Sequence, residues 1–137
     1  IKSILETYQT VAVVGLSRDC FKPSHRVARY LQSVGYRVIP VNPFIDYVLG
    51  EKSYKSLLEV PETIDIVDIF RSSDKVLPIV DQAIKLKKES GFPKVIWMQQ
   101  GIINQQAAKR AKQAEFKVVM NRCMMTEHKR LQMFKPE

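Results

Sequence analysis

The sequence predicts an α/β fold, built on a doubly wound, five-stranded parallel sheet of order 3-2-1-4-5 with helices on both faces. One observation is that short apolar runs alternate with segments of helical period along the 137 residues. The other is that the first run closes on a glycine ahead of a helix, as phosphate-binding turns do. With 45% hydrophobic residues, this length suits a single domain, residues 1–137, and leaves no room for a second.

The five predicted strands are apolar runs bounded by residues that end strands. They cover 11–14, 36–39, 64–70, 95–98 and 118–120. Gly15 closes the first strand, Pro40 and Pro43 stop the second, and the third alternates with period two. The stretch 44–61 is predicted to be irregular, with a turn near Gly50.

The predicted helices follow small polar residues that can cap a helix N-terminus. These are Ser24, Ser73 or Asp74, and Asn104, and a short polar helix is expected from Thr126. Gly35 ends the first of these helices, as glycine commonly does. Alanines dominate one side of the helix after Asn104, which lets that helix pack closely on a sheet.

Charge and cysteine content narrow the function classes. The formal net charge of +8 favours anionic partners without saying which kind. No segment is apolar for long enough to span a membrane, and the first residues show no signal peptide. The two cysteines form no disulfide framework, so we expect a cytoplasmic protein. The scattered His and Cys residues have no metal-ligand spacing.

The loop after the first strand is the leading candidate for a phosphate site. Gly15 permits a tight turn and a close backbone approach, and the following helix N-terminus attracts anions. Ser17 and Ser24 add hydroxyls, while Arg18 and Lys22 add positive charge. The motif is short and lacks the other glycines of a dinucleotide fingerprint, so a plain strand-to-helix turn with solvated charges is the alternative.

The end of the second strand is informative for what it lacks. A dinucleotide-binding unit carries a ribose-binding carboxylate there, and this chain has Asn42 and Pro43 instead. Without that carboxylate, a nucleotide with a phosphate on its ribose is accommodated, so CoA and NADP fit and NAD does not. The alternative is that Asn42 and Pro43 simply end the strand.

Two further loops reach the same carboxyl edge of the sheet. Phe70 and Arg71 end the third strand, and Arg71 can grip phosphate or stack on a base. Gln100 and Gly101 follow the fourth strand and can offer amides to a polar ligand. The alternatives are that Phe70 is a core residue and that the glutamine loop is an ordinary turn.

Cys123 follows the fifth strand, also at this edge, with His128 five residues later. The pair suggests a nucleophile, although such residues are more often structural. We predict that Cys123 lies near the thiol end of a bound pantetheine arm, and that Cys20 is too distant for an easy disulfide with it.

Taken together, these stretches resemble the family of small, single-domain CoA-binding proteins, which is similar to the CoA-binding domain of succinyl-CoA synthetase alpha subunits. The matching stretches span nearly the whole chain: 13–17, Ser24, 35–43, 49–51, 67–71, 97–102, Asn104 with 107–108, and 119–123 with 127–128. The resemblance implies a Rossmann-like fold with Gly15, Ser17, Lys22, Ser24, Asn42, Pro43, Phe70 and Arg71 around CoA.

Three positions depart from the family pattern. Asn121 replaces the usual Asp, which puts an acid–base role there in doubt, and Glu115 replaces a helix-ending Gly, which predicts a different turn. The stretch 87–93 is also slightly longer than usual.

The favoured function is non-catalytic binding of CoA or an acyl-CoA in the cytoplasm, with a partner protein as an open option. The alternative is an NADP-linked oxidoreductase module that needs a partner for its substrate site. Nucleic-acid binding through the basic surface is disfavoured, because no nucleic-acid-binding motif accompanies the charge.

Overall fold

In this computed structural model, which describes residues 1–133, a five-stranded parallel sheet forms the centre of the molecule. Its strands are β1 (Thr10–Val14), β2 (Arg37–Val41), β5 (Ile66–Ile69), β6 (Val95–Met98) and β7 (Lys117–Met120), and a small antiparallel hairpin consists of β3 (Tyr47–Val48) and β4 (Glu51–Lys52). The helices are α1 (Lys2–Thr7), α2 (Pro23–Ser33), α3 (Val76–Ser90), α4 (Gln105–Gln113) and α5 (Met124–Met133), with 3-10 turns at Leu57–Glu59 and Ser73–Lys75. The last four residues of the predicted domain, 134–137, lie outside the described residues.

The strand order across the sheet is β2-β1-β5-β6-β7, and every pair is parallel. On the outer side of β2, Tyr54 forms a single parallel bridge to Val41, the last residue of that strand. Counting this bridge as the third strand gives the order 3-2-1-4-5 with β7 added beyond it, so the doubly wound α/β fold is confirmed. The segment assignment needs correction, because the predicted third strand, 64–70, lies beside β1 as the fourth.

Helices cover both faces of the sheet, as predicted. Buried residues of α3 and α4 form one core with one face of the strands, while buried residues of α1, α2 and α5 form a second core with the other face. Ala107, Ala108 and Ala111 are buried where α4 meets the sheet, which confirms the expected close packing. Among the described residues, no helix is long and apolar enough to cross a membrane.

Pro40 does not end the second strand, contrary to the sequence prediction. It lies inside β2 and is in register with Val13 of β1. Its carbonyl accepts a hydrogen bond from the Tyr54 amide at 3.1 Å, on the outer side of the strand. In a parallel strand the N and O of one residue face the same side. The missing N–H of Pro40 therefore faces the outer edge, where β1 needs no donor from it.

Glu115 retains the turn that a glycine would adopt, so the predicted change of geometry there is wrong. Its φ is 68°, in the left-handed region. The Lys87 ammonium donates to the carbonyl oxygens of Ala114 at 3.0 Å and Glu115 at 2.7 Å, which stabilises the end of α4. These bonds hold a conformation that a side chain disfavours.

We expect Glu115→Gly to stabilise the protein by about 0.5–1 kcal/mol. Glycine removes the cost of the left-handed conformation, and its greater entropy in the unfolded state cancels only part of that gain. Urea denaturation measures the change. Glu115→Ala is the matched control, since it removes the same charge but keeps a β-carbon, and it should give no gain. An equal gain in both variants would assign the effect to charge.

Candidate functional site

The loop between β1 and α2 turns at Gly15, whose φ is 89°. Its N–H donates to the Val41 carbonyl at 2.9 Å, which ties the loop to β2. A β-carbon at Gly15 would lie 3.1 Å from Cδ of Arg71 and 3.3 Å from the backbone of Phe70. Glycine is therefore required both by backbone conformation and by the close approach of β5, and a larger residue would disturb the fold as well as a ligand.

Ser24 holds this loop and does not cap α2, which corrects the sequence prediction. The helix begins at Pro23, with Lys22 as its N-cap, because proline suits the first helical position. Ser24 is buried, and its Oγ accepts a hydrogen bond from the Ser17 amide at 3.0 Å. The Ser17 hydroxyl in turn accepts from the Asp19 amide at 3.0 Å. The loop is thus ordered by its own hydroxyls.

Asn42 joins this loop to the end of β2. Its Nδ2 donates to the Leu16 carbonyl at 3.0 Å, and its Oδ1 accepts from the Phe44 amide at 2.9 Å. Both ends of the amide are therefore bonded within the protein. An ionised aspartate could not donate this hydrogen bond to the Leu16 carbonyl. The bond therefore explains structurally why position 42 holds an asparagine and not a carboxylate.

A cavity of about 570 Å³, the first cavity, opens beside the loop on the α2 and α5 side of the sheet. Six of the predicted residues line it: Gly15, Ser17, Lys22, Ser24, Phe70 and Gln100. Arg26 adds a second cation, and no carboxylate is among the described residues that line it. The N-terminus of α2 also faces this space, and its partial positive charge adds to that of the cations.

A second cavity of about 390 Å³ lies at the ends of β1 and β2 on the α3 side. It is lined by the predicted residues Pro43 and Arg71, together with Lys55, Lys75 and Asp74. Three cations face one carboxylate, so this cavity is also positive. Phe70 lines the first cavity and Arg71 lines the second, and Gly15 lies against both residues.

Three of the predicted residues line neither cavity: Arg18, Gly101 and the Asn42 described above. Arg18 is exposed and belongs to neither set of lining residues. Gly101 donates its amide to Oδ1 of Asn121 at 2.7 Å, and so links the loops after β6 and β7. Asn121 has a φ of 62°, a conformation that asparagine tolerates better than most residues. Its role in the structure is to connect loops.

The thiol of Cys123 lines the first cavity just before α5. Partial burial raises the pKa of this thiol, but hydrogen bonds to Thr126, Gln99 and the first amides of α5 outweigh that effect and lower it. Gln99 is buried and accepts from the Met124 amide at 3.0 Å, which fixes the start of α5.

Asp68 is the residue that the sequence analysis missed. It lies in the middle of β5 with no exposed surface, and neither carboxyl oxygen has a hydrogen-bond partner among the described residues. Burial raises the pKa of Asp68 well above its ordinary value, and the charge on Cys123 raises it further. A carboxylate within the apolar run 64–70 was the signal available in the sequence.

His128 belongs to a different part of the molecule. It is buried, and its Nδ1 is 2.7 Å from the Tyr30 hydroxyl. It lines another cavity, together with Leu5 and Tyr36.

Cys20 and Cys123 are both free thiols, as predicted. The described residues contain no cluster of three or more His, Cys, Asp or Glu that could hold a metal ion.

Comparison with known proteins gives a family match over most of the chain. The family profile described as "CoA binding domain" matches residues 9–129. YneT of Bacillus subtilis is 39% identical over 128 residues, which are 93% of this chain and 91% of that protein. An ADP-forming acetate–CoA ligase of Archaeoglobus fulgidus is 35% identical over 74 residues, 53% of this chain but only 11% of the ligase.

Solved structures agree with the fold and extend the match. A hypothetical protein from Pyrococcus horikoshii OT3 has a TM-score of 0.90 and 40% identity, covering 96% of this chain and 89% of its own. A Thermus thermophilus protein has a TM-score of 0.88 and 38% identity, covering 95% of each chain. The dinucleotide-forming acetyl-coenzyme A synthetase 1 of Ca. Korarchaeum cryptofilum has a TM-score of 0.72 and 27% identity, covering 88% of this chain and 28% of the synthetase.

Proposed function

The chain belongs to the family of CoA-binding domains, and from that premise we propose that it binds coenzyme A or an acyl-CoA, without turning it over, at the carboxyl edge of its sheet. The observation that carries the proposal is the pair of positively charged cavities on either side of Gly15. Coenzyme A has a diphosphate and a separate ribose phosphate, so it can use two positive sites at once.

The arrangement of the cavities suggests an orientation for the ligand. The diphosphate lies against Gly15, Lys22 and the N-terminus of α2, where the loop is held by its own hydrogen bonds. The ribose phosphate lies in the second cavity, near Arg71 and Lys75. The pantetheine arm then runs through the first cavity towards Cys123.

Binding without turnover is the simplest activity for this chain. The ligase and synthetase that it resembles are far longer, and the chain spans about a tenth and about a quarter of their respective lengths. We therefore do not assign the reactions of the ligase and the synthetase to this chain. We place the protein in the cytoplasm, and a separate partner protein would be needed for any acyl transfer.

Isothermal titration calorimetry with CoA, acetyl-CoA and dephospho-CoA tests this proposal. We expect CoA to bind at least roughly tenfold more tightly than dephospho-CoA, because one charge-assisted contact contributes about 1.5–3 kcal/mol. Equal affinity for the two would remove the role of the second cavity. No heat with any of the three would overturn the proposed function.

NADP is the competing ligand, since it also carries a ribose phosphate and its diphosphate would suit the same loop. NADP, NAD and a DNA oligomer therefore belong in the same experiment. Tighter binding of NADP than of CoA would favour the oxidoreductase alternative, and tight DNA binding would redirect the interpretation to the basic surface as a whole.

A further inference from the structure

We propose that Cys123 and Asp68 form a thiol–carboxyl pair that exchanges disulfides with oxidised CoA, so that the protein can carry CoA as a reversible mixed disulfide. This inference rests on the proposed function for its ligand. It adds a covalent step and assigns a role to Asp68, which the proposed function leaves unused.

The position of Asp68 beneath the first cavity follows from strand register. Asp68 is in register with Trp97 on β6, and in a parallel sheet such neighbours project from the same face. The Trp97 indole donates to the Arg122 carbonyl at 2.8 Å, so a side chain on this face contacts the residue that precedes Cys123. Phe70, two residues beyond Asp68 on that face, lines the cavity itself.

The unpartnered carboxyl is the second observation, independent of the cysteine. Asp68 has no exposed surface and no hydrogen-bond partner for either oxygen among residues 1–133. A buried polar group without a partner destabilises the fold, so its presence calls for an explanation, of which a functional role is one. Burial raises the pKa of Asp68 well above its ordinary value, which favours the neutral carboxyl, and a neutral carboxyl does not repel a thiolate.

Cys123 has the surroundings of a reactive thiol. It faces the cavity, precedes the ten-residue helix α5, and is hydrogen-bonded by Thr126 and Gln99. Thiolates at helix N-termini are stabilised by the helix dipole and by the first amides. The lowered pKa of Cys123 favours its thiolate, and the raised pKa of Asp68 favours its protonated form.

The chemical step is a thiol–disulfide exchange with CoA disulfide as co-reactant. The Cys123 thiolate attacks one sulfur, the S–S bond of CoA disulfide breaks, and a new S–S bond joins Cys123 to the bound CoA. As the S–S bond of CoA disulfide breaks, the departing sulfur of the second CoA takes the proton of Asp68 and leaves as a thiol, and Asp68 regains a proton from water. One disulfide is consumed and one is formed, so no further oxidant is required.

Intact-protein mass spectrometry after incubation with CoA disulfide tests the pair. A single CoA adduct is expected, which dithiothreitol removes, which is absent in Cys123→Ser and which persists in Cys20→Ser. Glutathione disulfide at equal concentration should react at least roughly tenfold more slowly, because it lacks the nucleotide that the cavities bind. An adduct on Cys20, or no adduct, would overturn the inference.

The role of Asp68 needs a measurement that a purely structural effect would not move. Alkylation of Cys123 by iodoacetamide releases iodide, which needs no proton, whereas in the proposed exchange Asp68 protonates the departing sulfur of CoA. Asp68→Asn should therefore slow exchange with CoA disulfide by about tenfold or more while changing alkylation much less. An equal effect on both reactions would remove Asp68 from the proton transfer, while the Cys123 adduct would still test the cysteine alone.

Failure of this inference and failure of the proposed function give different results. If calorimetry detects reduced CoA but Cys123 forms no adduct, the binding function stands and the exchange is wrong. If reduced CoA does not bind, and glutathione disulfide modifies Cys123 as fast as CoA disulfide, the proposed ligand is wrong and selectivity for CoA disulfide is lost with it.

Discussion

Replacing Lys22 and Arg71 by alanine is expected to weaken CoA binding by about 10- to 100-fold for each residue. Each side chain lines one of the two cavities, and neither cavity has more than three cations among the described residues that line it. A charge-assisted hydrogen bond to phosphate contributes about 1.5–3 kcal/mol, so each loss is large compared with that of an exposed lysine. Calorimetry at low salt measures the effect, which should shrink at high salt because screening already weakens the wild-type contact.

Dephospho-CoA separates the two positions. If Arg71 contacts the ribose phosphate, then Arg71→Ala should weaken CoA but leave dephospho-CoA unchanged. Lys22→Ala should weaken both ligands, because both retain the diphosphate. Lys85 and Lys88 are exposed on α3, and their alanine variants are the matched controls for a lost surface charge. Wild-type affinity in both the Lys22 and Arg71 variants would mean that these side chains are merely solvated.

Most of the fold could be predicted, because its signals are local. An apolar run closed by Gly15 specifies the first strand and turn. Oδ1 of Asn104 accepts a hydrogen bond from the Ala107 N–H at 2.9 Å, as a helix cap should. The order of strands depends on pairings between distant segments, which no local pattern encodes. For that reason the single bridge of Tyr54 to Val41 was missed, and 64–70 was given the wrong position.

The candidate site was predicted best where a residue follows a strand. Gly15, Phe70 and Arg71 lie at the carboxyl edge because parallel strands all end there. Predicting their position therefore required only the prediction of where each strand ends. What Asn42 and Ser24 do could not be read from the sequence, because both act through hydrogen bonds to other parts of the loop.

Helix boundaries were predicted less accurately for a related reason. Ser24 is a good N-cap by residue type, and a helix capped there would begin at residue 25. Pro23 can begin the helix two residues earlier, so two local preferences compete. α1 was not predicted, since its six residues offer too short a pattern, and its buried Ile4 and Leu5 are stabilised by packing with distant residues of the second core.

Asp68→Asn should change the dependence of stability on pH more than any other single substitution among the described carboxylates. Burial raises the folded-state pKa of Asp68 above its unfolded value of about 3.9, so between these two pKa values the native state binds more protons than the unfolded state. The contribution of Asp68 to stability is therefore fully present below pH 3.9 or so, and falls as the pH rises towards the folded pKa, by about 1.4 kcal/mol per pH unit.

Urea denaturation of the wild type and of Asp68→Asn from pH 5 to pH 8 measures this effect. The difference in unfolding free energy should move steadily in favour of the asparagine variant as the pH rises, and it should level off at the folded pKa of Asp68. Asp46→Asn, at an exposed position, is the matched control and should run parallel to the wild type. A pH-independent difference for Asp68→Asn would show that Asp68 ionises in the folded protein as readily as in the unfolded chain, which would also remove the neutral acid that the exchange with CoA disulfide requires.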